Sequence, residues 1–457
     1  MYKLKCLLLL AGIGICSMNL TAQKLPNNFF MTKLENGLEI LVIEDASVPL
    51  VTVEIVVKNG AYTEDTAFNG LSHLYEHMFF KANKALPSQE QFLDKVNELG
   101  IVFNGTTSNE RVNYFFTLSS NKIDEGLTFM NNAIRYPLFL ESEMKRENPV
   151  VDGEFQRNES NPVFHLLDDM NRNMWGKHYS RKNAIGDHEI ILTATPEKMR
   201  TIQAKYYWPN NAMLVVAGDA KHESIFAKVK DLYGDWKPSE FDPFVKWPVP
   251  EFDPLVKDIN YLTINENAKT PIMFKGYFGP DTRGDIKATY AADVFSTIIG
   301  LQSSKFQKNL VDAGLAYQVG MGYQTAKYVG PITVQFVPNP MKLKEAYARL
   351  LEEIDLFDKD DYFTDEQLAT AKNQLAISDA YDKEKTSQFV HTVTYWWASA
   401  SINYYTDYAK NINTVTRADI QNYVRTYIKG KPSVTGLLVS PKMQEKLKIE
   451  SFDSIIK

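Results

Sequence analysis

The chain has 457 residues, 44% of them apolar, and a formal net charge of −6, enough to bury a large core and, by length, to build two or more domains. Lys and Arg are scattered without a block and no nucleotide-binding glycine loop occurs, which leaves no footprint for nucleic acid. Both cysteines, Cys6 and Cys16, lie at the extreme start, so the remainder can have neither disulfides nor a thiol nucleophile.

In chain order, MYKLK and the apolar run Cys6 to Cys16, ending at Leu20-Thr21-Ala22, read as a secretory signal (residues 1–22) cleaved before Gln23. The expectation is an exported, periplasmic protein. A retained membrane anchor is the alternative, and Ile15 before Cys16 argues against a lipoprotein signal. No later apolar run is long enough to span a bilayer. The first domain is placed at 23–235 and opens with β-rich runs between Gly37 and Val57.

His73-Leu74-Tyr75-Glu76-His77 follows. On a helix, positions four apart stack one above the other, so His73 and His77 can close on one ion with Glu76 beside them. Zinc favours neutral imidazole nitrogens, and a catalytic site keeps a place for water whose pKa falls to about 7 on the metal. Glu76 is the candidate general base toward that water. HxxEH inverts the commoner HExxH, and both serve zinc peptidases. The bland alternative is an amphipathic helix with two surface histidines.

Trp236 to Pro254 carries Pro238, Pro243, Pro248, Pro250 and Pro254, so residues 236–256 are read as a linker and 257–457 as a second domain. That domain opens with the β run Pro271 to Phe278. The two halves end alike. Thr195 to Tyr206 and Thr416 to Tyr427 are both Thr-capped amphipathic helices, followed by β runs at Ala212–Ala217 and Thr435–Val439. We read this as a duplicated α+β unit. Tyr290 to Gly300, the counterpart of the His73 stretch, holds no His or Glu, which leaves one metal site per chain. The aromatic clusters Tyr395-Trp396-Trp397 and Tyr404-Tyr405 are read as core or dimer surface.

Two histidines leave zinc short of a third protein ligand. HxxEH with a glutamate about 76 residues on resembles the pitrilysin/insulinase family of zinc metallopeptidases, and Glu154, 77 positions after His77, falls where the family's ligand is expected. Glu147, two turns earlier, matches the family's outer carboxylate and would hydrogen-bond a ligating histidine. Pro149 between them is expected to bend or start the helix. Asn36-Gly37-Leu38, Gly186-Asp187 and Tyr207-Trp208-Pro209-Asn210-Asn211 resemble further landmarks. The resemblance implies two similar domains, each a mainly antiparallel sheet packed with helices, together half of a clamshell.

It also implies that Val102 to Thr107 is the edge strand on which peptide substrate is bound by strand addition, through Phe103, Asn104, Gly105 and Thr106. Gly105 would let the substrate backbone approach and Asn104 would position the scissile amide; read without the family, Asn104-Gly105 is a turn. In the family an Arg seven residues before a Tyr reaches across to steady the oxyanion. Here Tyr317 is present and the Arg position holds Leu310. The expectation is therefore the zinc subunit of a heterodimer whose homologous partner supplies the Arg/Tyr pair, with a homodimer as the alternative and Tyr317 as core aromatic the plainer reading. Two rivals from other classes remain: a non-catalytic assembly subunit, as in the family's respiratory-complex core proteins, and a peptide-binding or escort protein with structural zinc.

Overall fold

The computed structural model describes residues 25–382 and 386–456, so the expected signal segment 1–22 lies outside the described residues. Six strands form the first sheet: β1 (Phe29–Lys33), β2 (Glu39–Glu44), β3 (Leu50–Val57), β4 (Val102–Thr107), β5 (Val112–Ser119) and β6 (Ala212–Gly218). Five form the second: β7 (Ile259–Ile264), β8 (Ile272–Phe278), β9 (Ala316–Tyr323), β10 (Pro331–Pro338) and β11 (Val434–Val439).

The sheet orders are β1-β2-β6-β3-β5-β4 and β7-β11-β8-β10-β9. Each holds one parallel pair, β2 with β6 and β7 with β11; every other pairing is antiparallel. Without β1 the two orders superimpose strand for strand, β4 corresponding to β9 at the outer edge. This is the duplicated α+β architecture that the paired endings imply.

Local sequence sets the boundaries. Gly37 turns β1 into β2 at φ +90°, where a Cβ would come within 2.6 Å of the Asn210 Cβ. Thr195 caps helix Pro196–Tyr206 through the Lys198 N–H, and Thr416 closes a full capping box with Asp419 on helix Arg417–Tyr427. Residues 236–256, read from the prolines as a linker, contribute the short helix Pro243–Lys246.

Both faces of the first sheet are covered, so the strands EILVIE and LVTVEIVV are buried almost throughout, and Glu54, the charged residue inside β3, accepts from Thr394 of the second half. Helix Leu71–Phe79 and its neighbours fill one side. Helix Thr386–Ser399, from the second half, covers the other: Phe389, Val390, Val393 and Trp397 pack on Leu41, Ile43, Val56, Met213 and Val215. The exchange is mutual. Helix Pro162–Trp175, from the first half, lays Leu166, Met170 and Met174 on Phe274, Val434 and Leu438 of the second sheet. At Gly276 a Cβ would meet Met174 Sδ at 2.6 Å, so this helix lies directly on β8 there.

The halves also meet at a turn. Glu110 accepts from the Lys327 and Tyr328 N–H groups at 2.7 and 3.1 Å. Lys182 donates to the Tyr328 and Val329 carbonyls at 2.8 and 2.9 Å and to the Tyr62 hydroxyl. Both charged side chains are buried. Burial lowers the Lys182 ammonium and raises the Glu110 carboxyl, each opposed by the other's charge. Among the described residues no helix is long and apolar enough to cross a membrane.

Candidate metal centre

The motif residues sit on helix Leu71–Phe79, which buries Leu71, Leu74, Tyr75, Met78 and Phe79 in the core and leaves His73 and His77 half-buried on one face. Tyr75 locks the helix by stacking on Tyr207 at 4.0 Å. Helix Glu141–Glu159 crosses it and brings Glu154 over the two rings. One oxygen, Glu154 Oε2, lies 3.6 Å from His73 Nε2 and 3.8 Å from His77 Nε2.

The three donor atoms fall within 4.8 Å of one another. Tetrahedral ligands bound about 2.0–2.2 Å from zinc sit roughly 3.3–3.6 Å apart, so two imidazoles and a carboxylate at these separations fit the ion. Burial, with a smaller contribution from His77, holds the His73 imidazole down to about 4, which keeps it a neutral donor. His77 is pushed down by burial but raised overall, mainly through its bond to Glu147.

Glu147 accepts from His77 Nδ1 at 2.8 Å and pairs through its other oxygen with Lys81. Burial pushes its carboxyl up; the bonds from His77 and Lys81 outweigh that and leave it lowered. A carboxylate held ionised behind one imidazole orients the ring and fixes which nitrogen faces forward. His73 has no such support: its Nδ1 is buried without a hydrogen-bond partner among the described residues.

Of the two outcomes expected at Pro149, a bend or a helix start, the helix start does not occur. The helix runs through it from Glu141 to Glu159. The carbonyl that loses its N–H partner belongs to Lys145, on the exposed side, so water can replace the bond. Glu147 and Glu154 therefore share one helix and one face.

Glu76 is buried and accepts from Thr107 Oγ1 at 2.7 Å. Burial raises its carboxyl, against the pull of Thr107 and His77. β4 lies beside it as the outer edge of the sheet, paired only with β5 among the described strands. Phe103, Gly105 and Thr107 alternate toward the His73 helix, Phe103 packing on Phe80 at 4.9 Å. Thr106 faces the other way and bonds to Asn113.

Asn104-Gly105 is strand, not turn. Asn104 bonds its own neighbour, the Gly105 N–H, at 2.9 Å. Gly105 also has a use within the chain itself. A Cβ there would come within 2.8 Å of Glu76 Cγ and Oε1, so the missing side chain makes room for the buried carboxylate.

A cavity of about 440 Å³ gathers His73, Glu76, His77, Glu147, Glu154 and the β4 residues Phe103 to Thr106. Tyr317 is not among its lining residues; it stands 63% exposed on β9, the edge of the second sheet, and is no core aromatic. Leu310 is wholly buried in the second core.

Three residues of the centre were not singled out from sequence. Thr107 shares the strand face of Gly105, so alternation could have found it. Lys81 lies one turn past His77. Glu64 gives no local signal: both its oxygens accept from the start of the motif helix, from Gly70 N–H at 2.9 Å and Ser72 N–H at 2.7 Å. Burial pushes its carboxyl up to about 8 against those two bonds.

Comparison with known proteins identifies the relatives of this chain. The family model described as "Insulinase (Peptidase family M16)" matches residues 39–187, and "Peptidase M16 inactive domain" matches residues 193–375. An "Uncharacterized zinc protease" of Rickettsia felis is 25% identical over 79% of this chain and 86% of its own length. Another, YmxG of Bacillus subtilis, is 23% identical over 77% of this chain and 84% of its own.

Among solved structures, a protease from Helicobacter pylori superimposes with a TM-score of 0.78 at 21% identity, covering 90% of this chain and 99% of that one. The periplasmic protease PqqL from Escherichia coli gives a TM-score of 0.75 at 14% identity over 95% of this chain and 50% of PqqL. Two consecutive family models over most of the chain, relatives named zinc proteases and the same two-domain fold make this chain a member of the insulinase (M16) peptidase family.

Proposed function

We propose that this chain is a zinc-dependent endopeptidase that cuts unfolded or short peptides laid along β4 as an added strand. The observation that carries the reading is the meeting of His73, His77 and Glu154, from two distant helices, beside a buried Glu76 at a sheet edge. His73 Nε2, His77 Nε2 and a Glu154 oxygen would hold one zinc ion per chain. When bound, the ion polarises the scissile carbonyl and acidifies water.

The chain's own groups do the rest. Unpaired main-chain groups of β4 take up an extended peptide with little demand on its sequence. Glu76 receives the proton of the attacking water and passes it to the leaving amine; its burial and the Thr107 bond hold it where both transfers are in reach. Glu147 steers His77.

Leu310 cannot donate to a developing oxyanion, and its place in the core keeps it from the site. We therefore propose that the chain is the catalytic subunit of a dimer, with a homologous partner supplying the Arg/Tyr pair. The basic start and apolar run of residues 1–22 motivate export to the periplasm.

A metal assay on the purified chain, with cleavage of a quenched peptide with and without chelator, tests the reading. One equivalent of zinc and chelator-sensitive cleavage, raised by the co-purified partner, is the expected result. Absence of zinc binding, or cleavage indifferent to chelator, would overturn it. Full turnover by the isolated chain would remove the need for a heterodimer.

A further inference from the structure

The motif helix begins in an unusual way. Its N-cap is Gly70, which has no side chain to bond the free N–H groups of the first turn. Two constraints hold glycine there: φ is +90°, and a Cβ would meet Gly186 Cα at 2.5 Å. The first turn must therefore obtain its cap elsewhere.

Glu64, six residues upstream, provides it. The side chain is buried, and its two oxygens take the Gly70 and Ser72 N–H groups. Ser72 directly precedes His73. The contrast between the two histidines gives this contact its meaning. His77 is fixed from behind by Glu147, itself held by Lys81. His73 Nδ1 has no partner among the described residues, and its ring stands edge-on to His77 at 4.9 Å and 86°. The height and aim of His73 Nε2 thus depend on where the first turn sits.

We propose that Glu64 is a positioning residue for the metal centre, its two carboxyl oxygens gripping the first turn of the motif helix and so performing for His73 the service Glu147 performs for His77. It acts through backbone and touches neither metal nor substrate. A carboxyl group suits the place because its two oxygens stand side by side and the N–H groups at the start of a helix come in pairs. An amide does not: its oxygen serves one N–H while its NH₂ faces the other.

The inference rests on the proposed zinc site, and its test separates the two. Glu64→Gln in the full chain is compared with wild type for zinc affinity by chelator competition, for the visible spectrum of the Co²⁺-loaded protein, and for Tm of the metal-free protein. Zinc affinity is expected to fall about tenfold or more, as when an outer partner of a ligand is lost, with a changed Co²⁺ spectrum.

Phe295→Leu, in the core of the second half, controls for stability. It should lower Tm while leaving zinc affinity and spectrum unchanged. Glu64→Asp, whose shorter carboxylate reaches one N–H, should fall between wild type and Glu64→Gln; it also serves if Glu64→Gln does not fold. Wild-type zinc affinity and spectrum in a folded Glu64 variant would overturn the role of Glu64 alone. Wild-type protein that takes up no zinc would instead overturn the underlying zinc reading.

Discussion

Gly105 and Glu76 show how tightly the proposed chemistry is packed. The carboxylate lies where a β-strand side chain would stand, and only a glycine leaves the space. Gly105→Ala should therefore displace Glu76 and reduce cleavage at least tenfold while zinc stays bound, since no proposed ligand is touched; metal content measured beside turnover checks this. Glu76→Gln should keep both the Thr107 contact and the metal, and lower kcat by about 10²–10⁴-fold, the usual worth of a positioned proton carrier. Retained activity would remove Glu76 from its role. Glu147→Gln should weaken zinc binding by about 10–100-fold, because the amide no longer anchors both His77 and Lys81; chelator competition reads the change directly.

At the scale of elements, two helices and one strand make the centre, and each is held by something outside itself. The motif helix takes its cap from Glu64, and the Glu154 helix continues through Pro149 because the carbonyl deprived of its donor lies on the exposed side. Pro149→Ala restores a donor to that carbonyl and should stabilise the fold by up to about 3 kcal/mol, the difference in helix propensity between the two residues, with zinc affinity unchanged. Thermal unfolding of the metal-free protein measures it. β4 remains an edge because nothing among the described residues pairs with its outer side, which is what strand addition requires.

For the whole molecule, the notable feature is that the halves are interleaved. Each sheet is covered on one face by a helix from the other half, and Glu110 and Lys182 grip the 327–329 turn between them. Lys182→Met should cost about 3–5 kcal/mol, because it leaves Glu110 buried without its compensating charge; adding Glu110→Gln should recover part of the loss in Tm. A double-mutant cycle measures that coupling. With Tyr317 exposed on the far edge strand and Leu310 buried, completion of the centre falls to a second subunit under the proposed reading.

Much of this was legible in the residues. The spacing of His73, Glu76 and His77 is a helical fact, and resemblance to the family placed Glu154. The Thr-capped endings reported the duplication because capping is local chemistry. The remainder depends on contacts distant in sequence. Nothing in the periodicity says that Glu64 caps the motif helix, that Gly105 yields its volume to Glu76, or that helix Thr386–Ser399 covers the first sheet. Local hydrogen-bonding and hydrophobic patterns determined which residues form helices and strands and which side chains share a face. Only the packing of one element against another decided which atoms meet, because burial and the geometry of close approach are properties of the assembled fold.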